Sequence, residues 1–240
     1  MIPLHAPCDP GWACDDCDPL IDPWIGAKAN NCRGKASQLI MHNPDRFYGD
    51  VSQLDISRKC RQDEGDRLRK LFQGKSVCLV AQGESAMKTR RASLVEAHDL
   101  VVRMNRFNLS GFESFLGERV DVHAFTNNSC LYSAESRRAR FFYASDGFLL
   151  RENDGPIFTD DNLVFWSRPA GNYDEHLQGH FPTTGFRILL DVLAANPARV
   201  TLIGYDFYAG GQPYWSRHAP DIEKALVDAM LDTDGRLLVL

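Results

Sequence analysis

The sequence predicts an α/β protein with a single doubly wound, largely parallel sheet of the Rossmann-like kind. Short apolar runs bounded by glycine and turn residues alternate with longer stretches of helical periodicity, and strands that alternate with helices pair in parallel. The 240 residues suit one domain with a sizeable core, and 44% hydrophobic and 25% charged residues are ordinary for a globular protein. We therefore expect residues 76–240 to form one domain, preceded by an N-terminal extension over residues 1–75.

The predicted strands and helices follow one another in order from Ser76. Ser76–Val80 is a short apolar run between Gly74 and Gly83, as in a buried strand. Later apolar runs of similar length predict strands at Leu100–Met104, Val120–Phe125, Phe141–Ala144, Leu163–Trp166, Val200–Ile203 and Leu237–Leu240. The spacing of apolar residues predicts helices at Ser85–Ala97, Gly185–Ala195 and Asp221–Leu231.

The N-terminal extension differs in character from the rest of the chain. Residues 1–50 are rich in proline, aspartate, asparagine and cysteine and lack sustained periodicity, which predicts irregular structure wrapped on the domain. Arg58–Phe72 is highly charged but has Leu68, Leu71 and Phe72 at helical spacing. We expect a surface helix in that stretch.

Four cysteines of the extension raise the question of a zinc site. Cys14 and Cys17 have the spacing of a ligand pair, but no second close pair accompanies them, and the aspartates around them are unusual neighbours for thiolates. Structural zinc is therefore the lesser alternative for these cysteines, which are Cys8, Cys14, Cys17 and Cys32.

Polar and small residues follow the first two predicted strands. Gln82 and Gly83 come just after the first strand, and Asn105 comes just after the second. Because ligands of doubly wound sheets bind at the carboxyl ends of the strands, these residues are candidates for ligand contacts. The alternative is that they only cap loops. No Gly-x-Gly-x-x-Gly follows the first strand, so a dinucleotide site is poorly supported.

A second candidate site lies at the start of the helix predicted from Gly185. Thr183, Thr184 and Gly185 immediately precede its apolar-periodic residues, and Pro182 ends the preceding structure. Unpaired N–H groups and the helix dipole make such a helix end an anion site, to which threonine hydroxyls add donors. A threonine in this place is otherwise a plain N-cap, and the residues alone favour that alternative.

Three segments resemble, in the same order, the sialylmotifs of the animal-type sialyltransferases. Pro182 through Gly204 resembles the small motif, and His218 with Glu223 has the His-x4-Glu spacing of the very small motif. The chain from Ser76 to Asn128 resembles the large motif, through Ala81-Gln82-Gly83 in place of Gly-Asn-Ser and, at the family's spacing, His98-Asp99, Arg103, Asn105 and Gly111-Phe112-Glu113. One such match would be weak, whereas three in order identify the chain as a divergent member.

The resemblance implies a fold and a chemistry. It implies a variant of the GT-A glycosyltransferase fold and an inverting, metal-independent transfer of sialic acid from CMP-sialic acid to a glycan hydroxyl. His218 would be the catalytic base, a role that suits an imidazole titrating near neutral pH, and Glu223 would be mainly structural. The residues implied to bind the CMP donor are Gln82, Gly83, Asn105, Thr183, Thr184, Gly185, Tyr214 and Trp215.

One part of the family pattern is incomplete. A fourth family motif supplies a histidine that contacts the donor phosphate, and its nearest counterpart is Pro213-Tyr214-Trp215-Ser216. No histidine precedes Tyr214, and the gap to His218 is shorter than in the family. Tyr214 or Arg217 is the candidate for the missing donor, unless the site is rebuilt. The departure also supports an alternative in which the chain is a non-catalytic, nucleotide-binding relative.

Cysteine usage and the N-terminus predict the cellular setting. The positions that correspond to the family's core disulfide are Val77 and Asn196, and neither is a cysteine, as expected where thiols stay reduced. The first residues lack the pattern of a signal peptide, and no apolar run approaches the roughly 20 residues of a membrane span. Animal members carry a membrane anchor, so this chain departs from them or its anchor has been removed. We expect a cytoplasmic, bacterial member, with peripheral membrane association left open.

The expected partners are a CMP-sugar donor and a glycan acceptor, such as a glycoconjugate, lipopolysaccharide or capsule. No cofactor or metal is expected, because a donor with one phosphate needs none, and Asp232-Thr-Asp234 fits a turn better than a metal motif. The net charge of -5 argues against nucleic acid as a partner. The alternative donor sugar is Kdo or a nonulosonate other than sialic acid, because the CMP-activated forms share the CMP and carboxylate groups that the motifs would recognise.

Overall fold

The computed structural model describes residues 64–125, 135, 138–144, 162–165, 177–209 and 216–240. The strands in these residues are β1 (Ser76–Val80), β2 (Leu100–Met104), β3 (Val122–Phe125), β4 (Phe141–Ala144), β5 (Leu163–Phe165), β6 (Arg199–Ile203) and β7 (Leu237–Val239). The helices are α1 (Glu64–Phe72), a 3₁₀ helix (Glu84–Met87), α2 (Ala92–Glu96), α3 (Glu113–Leu116), α4 (Thr184–Ala194) and α5 (Pro220–Thr233).

The strands form one sheet in the order β5-β4-β3-β2-β1-β6-β7, and every neighbouring pair is parallel. This confirms the predicted doubly wound parallel sheet. β1 pairs with β2 on one side and with β6 on the other, so the direction in which strands are added reverses beside β1. In sheets of this kind the reversal opens a crevice beyond the carboxyl ends of the two strands, where ligands bind.

Successive residues of β1 face two different hydrophobic layers. Val77 and Leu79 pack with apolar residues of α1, α4 and α5, whereas Cys78 and Val80 pack with residues of the 3₁₀ helix, α2 and α3. The alternation follows from the pleat of a strand, which points consecutive side chains to opposite faces. Because helices cover both faces, the central strands are continuous apolar runs, and that is why they stand out in the sequence.

The charged helix α1 contributes to the core of the domain. Leu68 and Phe72 are 2% and 0% exposed and belong to the same hydrophobic layer as α4. Arg67 donates from Nη2 to the carbonyl oxygen of Leu163 at 3.0 Å, which ties α1 to β5. Residues 58–63 of the predicted helix lie outside the described residues. No helix in the described part of the chain combines the length and the apolarity that crossing a membrane requires.

The stretch predicted as one helix over Ser85–Ala97 is instead two short helices. The N–H of Ser85 donates to Oδ2 of Asp206 at 2.8 Å and its hydroxyl donates to Oδ1, which holds the 3₁₀ helix against the residues after β6. Arg91, the N-cap of α2, donates its backbone N–H to the carbonyl of Phe115 at 3.0 Å. These contacts with distant segments interrupt helical hydrogen bonding between the 3₁₀ helix and α2.

Arg103, a residue of the large-motif segment, closes the end of α3. It is 1% exposed, and its guanidinium donates to the carbonyls of Leu116, Gly117 and Arg119 at 2.8, 3.2 and 2.8 Å. Burial lowers the pKa of Arg103 to about 10, which leaves it charged at neutral pH. The arginine therefore supplies donors to carbonyls that the short helix leaves without helical partners.

His98 and Asp99 of the same segment link the start of β2 to other strands: His98 contacts β6, and Asp99 contacts β1. The ring of His98 contacts the carbonyl of Leu94 through Nδ1 at 2.8 Å and the hydroxyl of Thr201 through Nε2 at 2.9 Å. The carboxylate of Asp99 accepts from the N–H and the hydroxyl of Ser76, both at 2.8 Å, and these bonds hold its pKa below the usual value. Both residues lie at the amino ends of the strands, away from the crevice.

Candidate functional site

The candidate residues that follow β1 and β2 meet at the carboxyl edge of the sheet. Nε2 of Gln82 donates to the carbonyl of Met104 at 2.8 Å, which links the ends of the two strands. Gln82, Gly83 and Asn105 are all half-buried there. The structure thus places these three residues beside the crevice, as their positions after the predicted strands required.

Asn105 ends β2 in an unusual backbone conformation. Its φ is 49°, in the left-handed region, where asparagine is one of the few side chains found with any frequency. Its N–H donates to the carbonyl of Ala124 at 2.7 Å, and its own carbonyl accepts from Nε2 of His123 at 2.7 Å. Two contacts with β3 therefore hold the turn.

Asn105 also contacts the second candidate segment. The hydroxyl of Thr184 donates to Oδ1 of Asn105 at 3.3 Å, although the two residues are 79 positions apart. Thr184 is 4% exposed, at the first residue of α4. The sheet thus brings a strand end and a helix N-terminus to one place, which a shared ligand requires.

Thr183 is the N-cap of α4, and its polar groups are occupied in that role. Its hydroxyl accepts from the N–H of Phe186 at 3.1 Å and donates to Glu223 at 2.7 Å, and its N–H donates to Glu223 at 2.6 Å. Its carbonyl accepts from the N–H of Arg187 at 2.9 Å. The N–H groups of Thr184 and Gly185 have no hydrogen-bond partner within the described residues, so they are the donors that this helix end offers.

Gly185 lies against a tyrosine that the sequence analysis did not single out. A Cβ added at Gly185 would lie 3.4 Å from Cε1 of Tyr205 and 3.5 Å from the sulfur of Met104. The hydroxyl of Tyr205 donates to the carbonyl of Gly185 at 3.1 Å, and burial raises the pKa of this phenol well above its usual range. Tyr205 comes directly after the glycine that follows β6, so its place at the carboxyl edge could have been inferred from the strand.

Gly83 lies where the chain after β1 touches the chain after β6. A Cβ at Gly83 would overlap the carbonyl oxygen of Gly204 and the carboxylate of Asp206. Its N–H donates to the carbonyl of Gly204 at 2.9 Å. The small size of Gly83 therefore allows this approach, and Asp206 is a further crevice residue that the sequence analysis missed.

Glu223 connects the third motif-like segment to the second. It is 1% exposed on α5, and both of its carboxylate oxygens accept from Thr183. Burial raises its pKa to about 7, and the two hydrogen bonds from Thr183 oppose that rise only in part. The carboxyl group therefore gains or loses a proton near neutral pH while it holds the start of α4.

His218 is held beside the chain that leads into α4. Its Nδ1 lies 2.8 Å from the carbonyl oxygen of Phe181, and the N–H of Phe181 donates to the carbonyl of Arg217 at 2.9 Å. A carbonyl oxygen can only accept, so Nδ1 carries the hydrogen and the lone pair of the neutral ring is on Nε2. The half-buried His218 thus has the tautomer of a base that accepts a proton at Nε2.

The remaining candidates from the sequence comprise one described residue, Arg217, and several residues outside the described ranges. Arg217 is exposed, and its guanidinium stacks over the ring of Phe181 at 5.7 Å from the centroid. The predicted donor-binding residues Tyr214 and Trp215 fall outside the described residues. So do the cysteines considered for zinc, which are Cys8, Cys14, Cys17 and Cys32.

Asp232-Thr-Asp234 forms the end of a helix and the turn after it. Asp232 lies in the last turn of α5, and Asp234 is its C-cap. Oδ2 of Asp234 accepts from Nη2 of Arg236 at 2.6 Å, and this partner lowers the pKa of Asp234. This is the turn that the sequence predicted. Across the described residues, no group of three or more histidine, cysteine, aspartate or glutamate side chains could hold a metal ion.

Comparison with known proteins shows which fold this site belongs to. No family model and no curated protein matches the sequence. A mammalian sialyltransferase in complex with Gal-beta-1-3GalNAc-ortho-nitrophenol is similar in structure, with a TM-score of 0.56 and 15% identity over 89% of this chain and 88% of that chain. A further crystal structure of a mammalian sialyltransferase aligns with a TM-score of 0.53 and 14% identity over 78% of this chain and 83% of that chain. The chain therefore has the fold of these sialyltransferases.

Proposed function

We propose that this chain is an inverting, metal-independent glycosyltransferase that moves sialic acid from CMP-sialic acid to a glycan hydroxyl. The observation that carries the proposal is the contact between Thr184 and Asn105, because it unites two of the three motif-like segments at the carboxyl edge of the sheet. The third segment reaches the same place through Glu223 and His218. The fold shared with two mammalian sialyltransferases supports the same conclusion.

The start of α4 is the proposed site of the donor phosphate. The N–H groups of Thr184 and Gly185 point along the helix axis, and the dipole of an eleven-residue helix adds partial positive charge at this end. Gly185 has no side chain to keep a phosphate away. Asn105, which touches Thr184, is the neighbour proposed to contact the ribose.

His218 is the proposed base for the acceptor. Nε2 takes the proton of the acceptor hydroxyl as its oxygen attacks the anomeric carbon of the sugar. On the opposite face the bond from that carbon to the phosphate oxygen breaks, and its electron pair leaves with CMP. The new bond forms opposite the broken one, so the configuration inverts. The transition state resembles an oxocarbenium ion, and the helix end stabilises the charge that grows on the phosphate.

A donor screen tests the proposed function. The full chain is incubated with CMP-sialic acid or CMP-Kdo, with a UDP-sugar as control, and release of the nucleotide is measured with and without glycan acceptors. We expect CMP release from CMP-sialic acid alone of the three donors, faster in the presence of an acceptor. Release only from CMP-Kdo would favour the alternative donor. CMP binding without release from either CMP-sugar would contradict transferase activity and favour the non-catalytic alternative.

A further inference from the structure

The backbone carbonyl of Asn105 is held by a side chain from the neighbouring strand. Beyond the last pair of β2 and β3, the N–H of Asn105 still donates to Ala124, but its carbonyl turns back to Nε2 of His123 at 2.7 Å. The left-handed φ of 49° at Asn105 is what turns the carbonyl in this direction. The histidine ring thus replaces the partner that a continued strand would have provided.

His123 is completely buried and neutral. It is 0% exposed, with the rings of Phe107 and Phe125 each 5.2 Å from it, centroid to centroid. Burial lowers its pKa to about 4, so the ring carries no charge at neutral pH. Because its partner at Nε2 is a carbonyl, the single hydrogen is on Nε2 and Nδ1 carries the lone pair.

The other ring nitrogen argues against a role in packing alone. Nδ1 of His123 has no hydrogen-bond partner in the part of the chain that the structure describes. Leaving a buried polar atom unpaired costs free energy, and an apolar ring between Phe107 and Phe125 would avoid that cost. The imidazole supplies one thing that a phenyl ring cannot, which is the donor for the carbonyl of Asn105.

We propose that His123 is a positioning residue that fixes the backbone of Asn105 and so directs its amide side chain to Thr184 and the donor site. The inference rests on the proposed function, because it assigns to Asn105 the binding of the CMP donor. His123 is none of the residues that carry the family resemblance, and the contact with Asn105 becomes visible only in the folded chain.

Substitutions at His123 in the full chain test this role. His123→Leu removes the donor and leaves the carbonyl of Asn105 without its partner, so we expect CMP binding to weaken about 10- to 100-fold. The KM for the donor should rise more than kcat falls, because the base His218 is unchanged. His123→Gln keeps an N–H donor on a flexible stem and should recover much of the affinity. Calorimetric titration with CMP, steady-state kinetics and thermal melting are the readouts.

A second buried histidine is the matched control. His98 is 4% exposed and contacts Leu94 and Thr201 at the opposite ends of the strands. His98→Leu should lower the melting temperature, because it removes these buried contacts. It should keep CMP affinity within about twofold of wild type, because the contacts lie away from the proposed donor site. An equal loss of CMP affinity in His98→Leu would overturn the proposal, because the effect would then follow from general destabilisation.

Two further outcomes separate this inference from the proposed function. A folded His123→Leu variant with wild-type CMP affinity and donor KM would overturn the positioning role and leave the transferase proposal intact. A wild-type chain that binds no CMP would overturn the transferase proposal itself. If His123→Leu does not fold, His123→Phe, with a ring like those of its neighbours, carries the same test.

Discussion

The carboxylate of Glu223 accepts both the N–H and the hydroxyl of Thr183, at 2.6 and 2.7 Å. Thr183 caps α4, and Glu223 lies in the first turn of α5, so this contact locks the starts of the two helices together. His218 precedes Glu223 by five residues and is held to Phe181 on the approach to α4. A histidine and a glutamate at this spacing can therefore place a base beside the proposed phosphate site.

The stability of the fold should depend on pH through Glu223. Its folded pKa of about 7 lies above the usual 4.5, so its stabilising contribution is full below pH 4.5 and is lost as pH rises through 7. Glu223→Gln removes this dependence. Between pH 4.5 and pH 8, ionisation of Glu223 should cost the wild type on the order of 3 kcal/mol of unfolding free energy, and the variant should not show this loss. Urea denaturation across that pH range measures the difference in unfolding free energy between the variant and the wild type. Glu118→Gln, at an exposed carboxylate, is the control. A difference that does not change with pH would contradict the raised pKa of Glu223.

The replacement of His218 by alanine should abolish most of the turnover. Loss of a general base lowers kcat by roughly 10²–10⁴-fold, while folding and CMP affinity should survive because the residue lies in a loop before α5. His180→Ala is the matched control, because the ring of His180 contacts the carbonyl of Arg217 at 3.3 Å in the same pair of segments. Near-native turnover in His218→Ala would remove this histidine from the mechanism.

The position of CMP can be tested at Thr184. A co-crystal should show the phosphate within hydrogen-bond reach of the backbone at Thr184 and Gly185, and the ribose beside Asn105. Thr184→Val should weaken CMP binding by about 1–3 kcal/mol, because it removes the hydroxyl that donates to Oδ1 of Asn105, the residue proposed to contact the ribose. Thr233→Val, at the exposed end of α5, should leave the affinity unchanged. Phosphate density remote from both segments would defeat the assignment.

Chelation should leave turnover largely intact. CMP carries one phosphate, and the N-terminus of α4 is proposed to supply the positive charge that stabilises its departure. Activity is measured before and after dialysis against EDTA, with add-back of single metals. Strong inhibition that Mg²⁺ or Mn²⁺ reverses would contradict the donor class or the assignment of Asp232-Thr-Asp234 to a turn. Inhibition reversed only by Zn²⁺, with loss of the fold, would instead point to the N-terminal cysteines.

The sequence by itself determined the strands and the class of the fold. The predicted bounds of Ser76–Val80, Leu100–Met104 and Phe141–Ala144 are those of β1, β2 and β4. Strands covered on both faces are uninterrupted apolar runs, and that signal is local. The helix ends near Thr184 and Pro220 are equally local, because capping threonine and a proline in the first turn act within a few residues.

The tertiary structure alone decided how these elements meet. Contacts with Asp206 and Phe115 broke the helix predicted over Ser85–Ala97, and no periodicity within that stretch could reveal them. The same is true of the carbonyl of Asn105 held by His123, and of the pKa of Glu223, which depends on the burial of its carboxyl group in the folded chain. Periodicity and capping report only nearest neighbours along the chain. Which residues lie across the sheet depends on the strand order, and that order is set by packing of the whole domain.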